Sequence, residues 1–194
     1  MNPWFGNAAF IFSLISMMLI RAPHGIRSGQ VKIEESRKGR LEVALLALMS
    51  ITTLILPVIS IASPLLSFAD YGLRVLPFLL GSTCAAMGLW LFYRSHADLG
   101  LNWSISLAIR QKHQLVTGGV YERIRHPMYT SIFLLALAQA FLLSNWIAGP
   151  LYLLAFLLMF PLRLGPEERM MLDTFGDEYG AYVKRTKRLI PSIW

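Results

Sequence analysis

One cysteine, Cys84, stands in a chain of 194 residues, so neither an internal disulfide nor a cysteine-based zinc site is available. Charge is scarce too. Only 15% of the residues are charged and 55% are hydrophobic, with a mean hydropathy of +0.53, where an ordinary soluble domain has about 25% charged and 45–50% apolar residues. A soluble globular class is thereby excluded. No Gly-x-Gly-x-x-Gly follows a strand-like stretch, so nothing marks a Rossmann dinucleotide site. The opening Met1-Asn-Pro-Trp4 lacks the basic region of a cleavable signal peptide, and the first apolar stretch is expected to be retained. No internal repeat, low-complexity tract or lipidation motif occurs. The length fits one domain. Eighteen Lys and Arg against 11 Asp and Glu give a net charge of +7. In so apolar a chain that excess points to anionic lipid headgroups, not nucleic acid.

The uncharged stretches set the fold class, because a helix crossing hydrocarbon needs about 20 apolar residues and satisfies its own backbone. Five spans are expected, at about 4–20, 43–62, 73–93, 128–143 and 146–162. The last two divide one uncharged run, 127–162, at the turn-like Ser144-Asn145-Trp146. The expected fold is all-α, a polytopic transmembrane helical bundle forming a single membrane domain over 1–194, with cytosolic segments 94–127 and 163–194. Six Lys or Arg lie in 21–40, five in 94–126 and six from Arg163 onward. Basic loops stay cytoplasmic. Five spans put all three clusters on one side and leave only Arg74 opposite, giving an outside N-terminus and a cytoplasmic C-terminus.

Polar residues concentrate in 94–126, where turns at Gly100 and Gly118-Gly119 flank a short piece, 113–116, that reads as extended. Pro127 fits the first position of the fourth span, which places Arg125 and His126 at a helix N-terminus on the cytoplasmic surface. Exposed N–H groups and the helix dipole attract a carboxylate or phosphate there. The plainer alternative is that Arg125 binds lipid phosphate and His126 caps the helix.

The tail opens with Arg163 at the bilayer rim. It either clamps a carboxylate of an amphipathic substrate or is a snorkelling stop-transfer residue. Glu167 and Glu168 follow Pro166 and fit the first turn of a new helix, favoured electrostatically, or accept hydrogen bonds from a ligand's amine or ribose. Arg163 and Glu167 share a face only if the helix continues through Gly165-Pro166, which the rule for residues before proline disfavours. Beyond them, Met171, Leu172, Phe175, Tyr179 and Tyr182 at helical spacing read as an amphipathic helix on the membrane or capping the site. Lys184, Arg185, Lys187 and Arg188 read as an anionic-lipid contact, and Trp194 as an interfacial anchor.

Taken together, His113-Gln-Leu-Val-Thr-Gly-Gly-Val-Tyr121, Arg125-His-Pro-Met-Tyr129, Ser144-Asn145, Arg163 with Glu167-Glu168, and Phe175-Gly-Asp-Glu-Tyr179 resemble the isoprenylcysteine carboxyl methyltransferases. These are integral membrane enzymes that use S-adenosyl-L-methionine and release S-adenosyl-L-homocysteine. The resemblance covers roughly the last 100 residues in order and spacing; the first 90 match only as hydrophobic spans. It implies a cytosolic cofactor site held by His113, Gln114, Leu115, Val116, Tyr121, His126, Pro127, Met128, Tyr129 and Glu167. Arg163 would bind the substrate carboxylate and serve as the catalytic residue. No metal is expected. Phospholipid N-methyltransferases are similar over the His-Pro-x-Tyr and Glu-Glu pieces, so those pieces identify the cofactor better than the acceptor.

A carboxylate nucleophile is already ionised at neutral pH and needs no general base, so catalysis would rest on positioning and desolvation. The expected acceptor is a prenylated cysteine α-carboxylate or a similar lipophilic acid. An amine acceptor, as in a phosphatidylethanolamine-type N-methyltransferase, would need a base, with His126 or Glu168 nearest. Two further readings are a non-enzymatic membrane component, such as a transporter subunit, and an NADPH-dependent sterol-type reductase. The first fits poorly with spans that carry essentially no ionisable groups. The second would want further arginines for the 2′-phosphate.

Overall fold

The computed structural model describes residues 1–29, 33–36, 39–100, 108–110 and 114–190. Helix α1 runs over Pro3–Gly29, α2 over Arg40–Ser50, α3 over Leu56–Ala62, α4 over Val75–Leu99, α5 over Pro127–Leu142 and α6 over Leu151–Arg185. Among the described residues three stretches are long and apolar enough to cross a bilayer: Pro3–Arg27, Arg40–Ala62 and Val75–Leu99. Large apolar side chains such as Phe12, Leu19, Leu76 and Trp90 point outward from them. Lipid is the solvent that makes such a surface stable.

The helices overrun the limits expected from hydropathy. The first continues by more than two turns and the third by more than one into the polar segments, so Arg21, His24, Arg94, His96 and Asp98 are helical residues. One exception to an all-helical chain is a two-stranded antiparallel ladder, β1 at Ile33–Ser36 with β2 at Ala108–Arg110. The piece expected to be extended, 113–116, has no regular structure at 114–116, and its first residue lies outside the described residues.

Two helices, α2 and α3, form one rod joined by a π turn at Ile51–Ile55, where the Leu56 N–H reaches the Ile51 carbonyl. The next donor in that pattern would be Pro57, which has no N–H. The carbonyl of Thr52 is taken instead by Gln139 Nε2 of α5 at 2.8 Å, and the same nitrogen donates to Ala148 O at 2.7 Å. In hydrocarbon an orphaned carbonyl costs several kcal/mol. A fully buried glutamine thus repairs the break that a proline makes two helices away.

Helices α4 and α5 make the closest packing. A Cβ added at Gly81 would lie 2.8 Å from Leu142 Cγ, and one at Gly88 would lie 3.0 Å from Leu135 Cγ. Seven residues apart, the two glycines form one flat strip that lets the backbones approach. Opposite the polar end, the turn between α5 and α6 is held by Asn145, only 2% exposed. Its Oδ1 accepts from Ile147 N and Ala148 N, and its Nδ2 donates to Leu66 O and Asp70 Oδ1. The turn therefore lasts until Pro150, and the final helix begins at Leu151, five residues beyond the expected 146.

Candidate functional site

Helix α6 passes through Pro161, Gly165 and Pro166 without ending, and its break comes only at Gly176, with φ +50° and ψ −125°. The expected new helix at Glu167 is therefore the middle of an old one. Buried Leu164 and Met170 anchor it on either side of Pro166, so tertiary packing outweighs the local preference against helix before proline. Arg163 and Glu167, one turn apart, face each other with Nε and Oε2 at 3.9 Å.

From the other side comes the start of α5. Tyr129 donates its hydroxyl to Glu167 Oε2 at 2.5 Å, while His126 Nδ1 stands 3.6 Å from Glu167 Oε1 and its Nε2 3.3 Å from Glu168 Oε1. The imidazole is thus bracketed by two carboxylates. Burial opposes its charge, but hydrogen bonds from its ring N–H groups to Glu167 and Glu168 outweigh burial and raise its pKa above the usual value. Burial likewise opposes the charge on Glu167; His126, Arg163 and Tyr129 overcome it and lower that pKa. Glu167 remains partly open, with 27% of its side chain exposed. That leaves carboxylate lone pairs within reach of a ligand.

Glu168 does different work. Arg125 donates to its Oε1 from Nη2 at 3.0 Å, and Arg188 to its Oε2 at 3.0 Å. Against the opposing effect of burial, His126, Arg188 and Arg125 hold this carboxyl well below the usual range. Arg125 also donates to Thr186 O at 2.6 Å, and its side chain is only 7% exposed. Both readings from sequence, a lipid phosphate contact and an open anion site, are corrected by that burial: Arg125 is occupied by this chain's own carboxylate and carbonyls. Arg188, read as a lipid contact, is a second clamp on Glu168.

The segment after α6 completes the frame. Arg125 N–H donates to Lys187 O at 2.7 Å and His126 N–H to Arg188 O at 3.0 Å, a short parallel pairing around Ile124 and Lys187. Tyr182, on the last turns of α6, donates its hydroxyl to Tyr121 O at 2.6 Å. Tyr179 and Tyr182 are buried, so this stretch packs over the site.

Asp98, at the end of α4, accepts from Val120 N at 2.9 Å. A Cβ at Gly119, whose φ is +63°, would collide with that carboxylate, so glycine is required both by the backbone and by the neighbour. The turn sets buried Tyr121, whose hydroxyl donates to Ser95 O at 3.4 Å, near enough to Glu167 for the carboxylate to raise its pKa beyond the effect of burial. Of the residues expected in the site, Tyr121, His126, Tyr129, Arg163 and Glu167 come together. Pro127 and Met128 share the first turn of α5 with them. Gln114 is exposed and Leu115 and Val116 half-buried on the approach to Gly118, and His113 lies outside the described residues.

One member of the cluster had escaped notice. Glu42, in the first turn of α2 and 7% exposed, places Oε1 3.6 Å from Arg163 Nη2. A single glutamate at a helix start reads as a dipole partner, and nothing in its neighbourhood sets it apart.

Residues 80–173 match the sequence model of the isoprenylcysteine carboxyl methyltransferase family. The chain is 34% identical over 116 residues to a protein-S-isoprenylcysteine O-methyltransferase of Schizosaccharomyces pombe, covering 59% of this chain and 48% of that one. Against the Homo sapiens protein of the same name it is 38% identical over 81 residues, covering 42% and 28%. A solved structure of the eukaryotic intramembrane Ras methyltransferase ICMT superposes with a TM-score of 0.52 at 28% identity, covering 78% of this chain and 50% of that one. The chain thus spans about half the length of the fission-yeast relative, and less of the human one. The resemblance read from the sequence holds over the matched stretch, which contains every cluster residue contributed by α5 and α6. Glu42 and Arg188 lie outside it.

Proposed function

We propose that this chain is an integral membrane methyltransferase that uses S-adenosyl-L-methionine to esterify the α-carboxylate of an isoprenylated cysteine or a similar lipophilic thioether acid. Five spans, an outside N-terminus and a cytoplasmic site accord with 17 of 18 basic residues falling on one side. The observation that carries the reading is the convergence of Arg163, Glu167, Tyr129 and His126 where apolar helices meet a polar rim. The donor set suits the cofactor: a partly exposed carboxylate, Glu167, for its amine or ribose hydroxyls, and Tyr121, Pro127, Met128 and the 113–116 stretch for its apolar and aromatic parts. When bound, the cofactor supplies an electrophilic methyl group on a sulfonium.

The chain's residues supply position. Arg163 at the bilayer rim presents a planar fork to the acceptor carboxylate and fixes which oxygen faces the methyl donor. Burial among apolar helices removes water from that oxygen, which raises its reactivity. No proton has to move. This favours an acid acceptor over an amine, because both ring nitrogens of His126 face glutamates of this chain and Glu168, held well below the usual carboxylate range, is a weak base.

The test is binding of S-adenosylhomocysteine to detergent-purified protein by calorimetry, in wild type, Glu167→Ala and Tyr129→Ala. Saturable binding, weakened at least tenfold in Glu167→Ala and also in Tyr129→Ala, is expected, followed by methylation of N-acetyl-S-farnesylcysteine. Folded wild-type protein that binds no S-adenosylhomocysteine would overturn the reading. Methylation of phosphatidylethanolamine with none of the farnesyl acid would replace it by the amine alternative.

A further inference from the structure

We infer that Glu42 is an internal competitor for Arg163: a built-in carboxylate that occupies the arginine between turnovers, is displaced by the acid substrate, and returns to expel the ester product. The inference rests on the reading of Arg163 as the acceptor-binding residue. Three observations carry it. Glu42 and Arg163 are both nearly buried, 7% and 11% exposed at the side chain, and pair across two helices that the sequence separates by 120 positions. Their separation of 3.6 Å is longer than the roughly 2.7–2.9 Å of a fitted bidentate pair, so the contact is electrostatic and open to replacement. Arg163 already has a separate partner in Glu167 on its own helix. Glu42 is therefore one of two carboxylates beside the arginine, and the one that comes from another helix.

The chemistry gives this competition a direction. The substrate is an anion of the same type as the Glu42 side chain and exchanges with it carboxylate for carboxylate. The product is a neutral ester. An ester carbonyl offers the guanidinium only a dipole, so once the methyl group has arrived Glu42 outcompetes it. Product release is then driven by the charge that the reaction itself removes. Arg21 of α1 lies within electrostatic range of Arg163, and with His126 it keeps the cluster from becoming strongly negative when the substrate's carboxylate enters.

The experiment compares wild type, Glu42→Gln and Glu42→Asp, each saturated with S-adenosylhomocysteine. Calorimetry reads the affinity for N-acetyl-S-farnesylcysteine and for its methyl ester, and steady-state assays add KM and kcat. In Glu42→Gln both ligands are expected to bind roughly fivefold more tightly, KM to fall with them, and kcat to fall where ester release limits turnover. Glu42→Asp, which keeps the charge on a shorter arm, should tighten both less. Weaker acid binding and a raised KM in Glu42→Gln would overturn the inference and leave Glu42 as a support for Arg163. Unchanged affinities would overturn it as well. Should Glu42→Gln lose S-adenosylhomocysteine binding, Glu42→Asp decides by the same signs. A wild type that binds neither acid nor ester while holding S-adenosylhomocysteine marks failure of the acceptor reading itself.

Discussion

The two ends of the bundle are tied by opposite means. At one, Asn145 and Gln139 fasten turns and helices with six side-chain hydrogen bonds, five of them to neutral backbone groups and one to the exposed Asp70 carboxylate. At the other, His126, Arg125, Arg163, Glu167, Glu168 and Glu42 form a network of ion pairs. Neutral bonds satisfy buried backbone without bringing charge into a low-dielectric region. Charge is expensive to bury unless it is paired, and here it is gathered at the end where we propose that the ligands bind.

Four experiments sharpen or break this contrast. Arg163→Ala should lower methylation of the farnesyl acid by about 10²-fold or more, because the acceptor loses its orientation, while S-adenosylhomocysteine affinity changes only a few-fold; a parallel loss of both would merge binding and positioning into one function. Asn145→Ala should cost about 2 kcal/mol, from a buried residue that makes four hydrogen bonds, read as a lower thermal midpoint in detergent with unaltered KM. Gln139→Ala should cost roughly 1 kcal/mol, the scale of an interhelical hydrogen bond in membranes, again with KM unaltered. A shifted KM in either variant would show that the neutral end reaches the site.

The smallest effect is the pH response, confined to the charged end. His126 is raised above its ordinary 6.5, so its contribution is complete below that value and is lost as pH rises through the raised one. Glu167 and Glu168 lie below their ordinary 4.5, so theirs is complete above it and is lost as pH falls through the lowered values. Stability should be flat between about 4.5 and 6.5 and decline on either side. His126→Gln should remove the alkaline decline, which thermal midpoints across pH would display.

The contrast also marks what sequence could disclose. Missing charge revealed the three membrane-length stretches found among the described residues, since hydrocarbon tolerates little else, and the proline at 127 fixed the start of α5. Arg163, Glu167, His126 and Tyr129 were identifiable from a motif pattern, yet their meeting depended on α6 surviving Gly165-Pro166. Local rules argue against that, and only packing of Leu164 and Met170 supplies the reason. Glu42 was invisible because its partner lies on another helix. The start of α6 was misplaced for a related cause: Asn145 holds its turn through Leu66 and Asp70, residues that no reading of 144–150 alone would bring in.

The pairing of Thr186, Lys187 and Arg188 with Arg123, Arg125, His126 and Glu168 bears on biogenesis. Every apolar helix precedes that segment in the order of synthesis, so the bundle can be integrated into its membrane before the frame around His126 exists. A message truncated ahead of codon 186 should therefore yield a protein that inserts and packs but never acquires a working site.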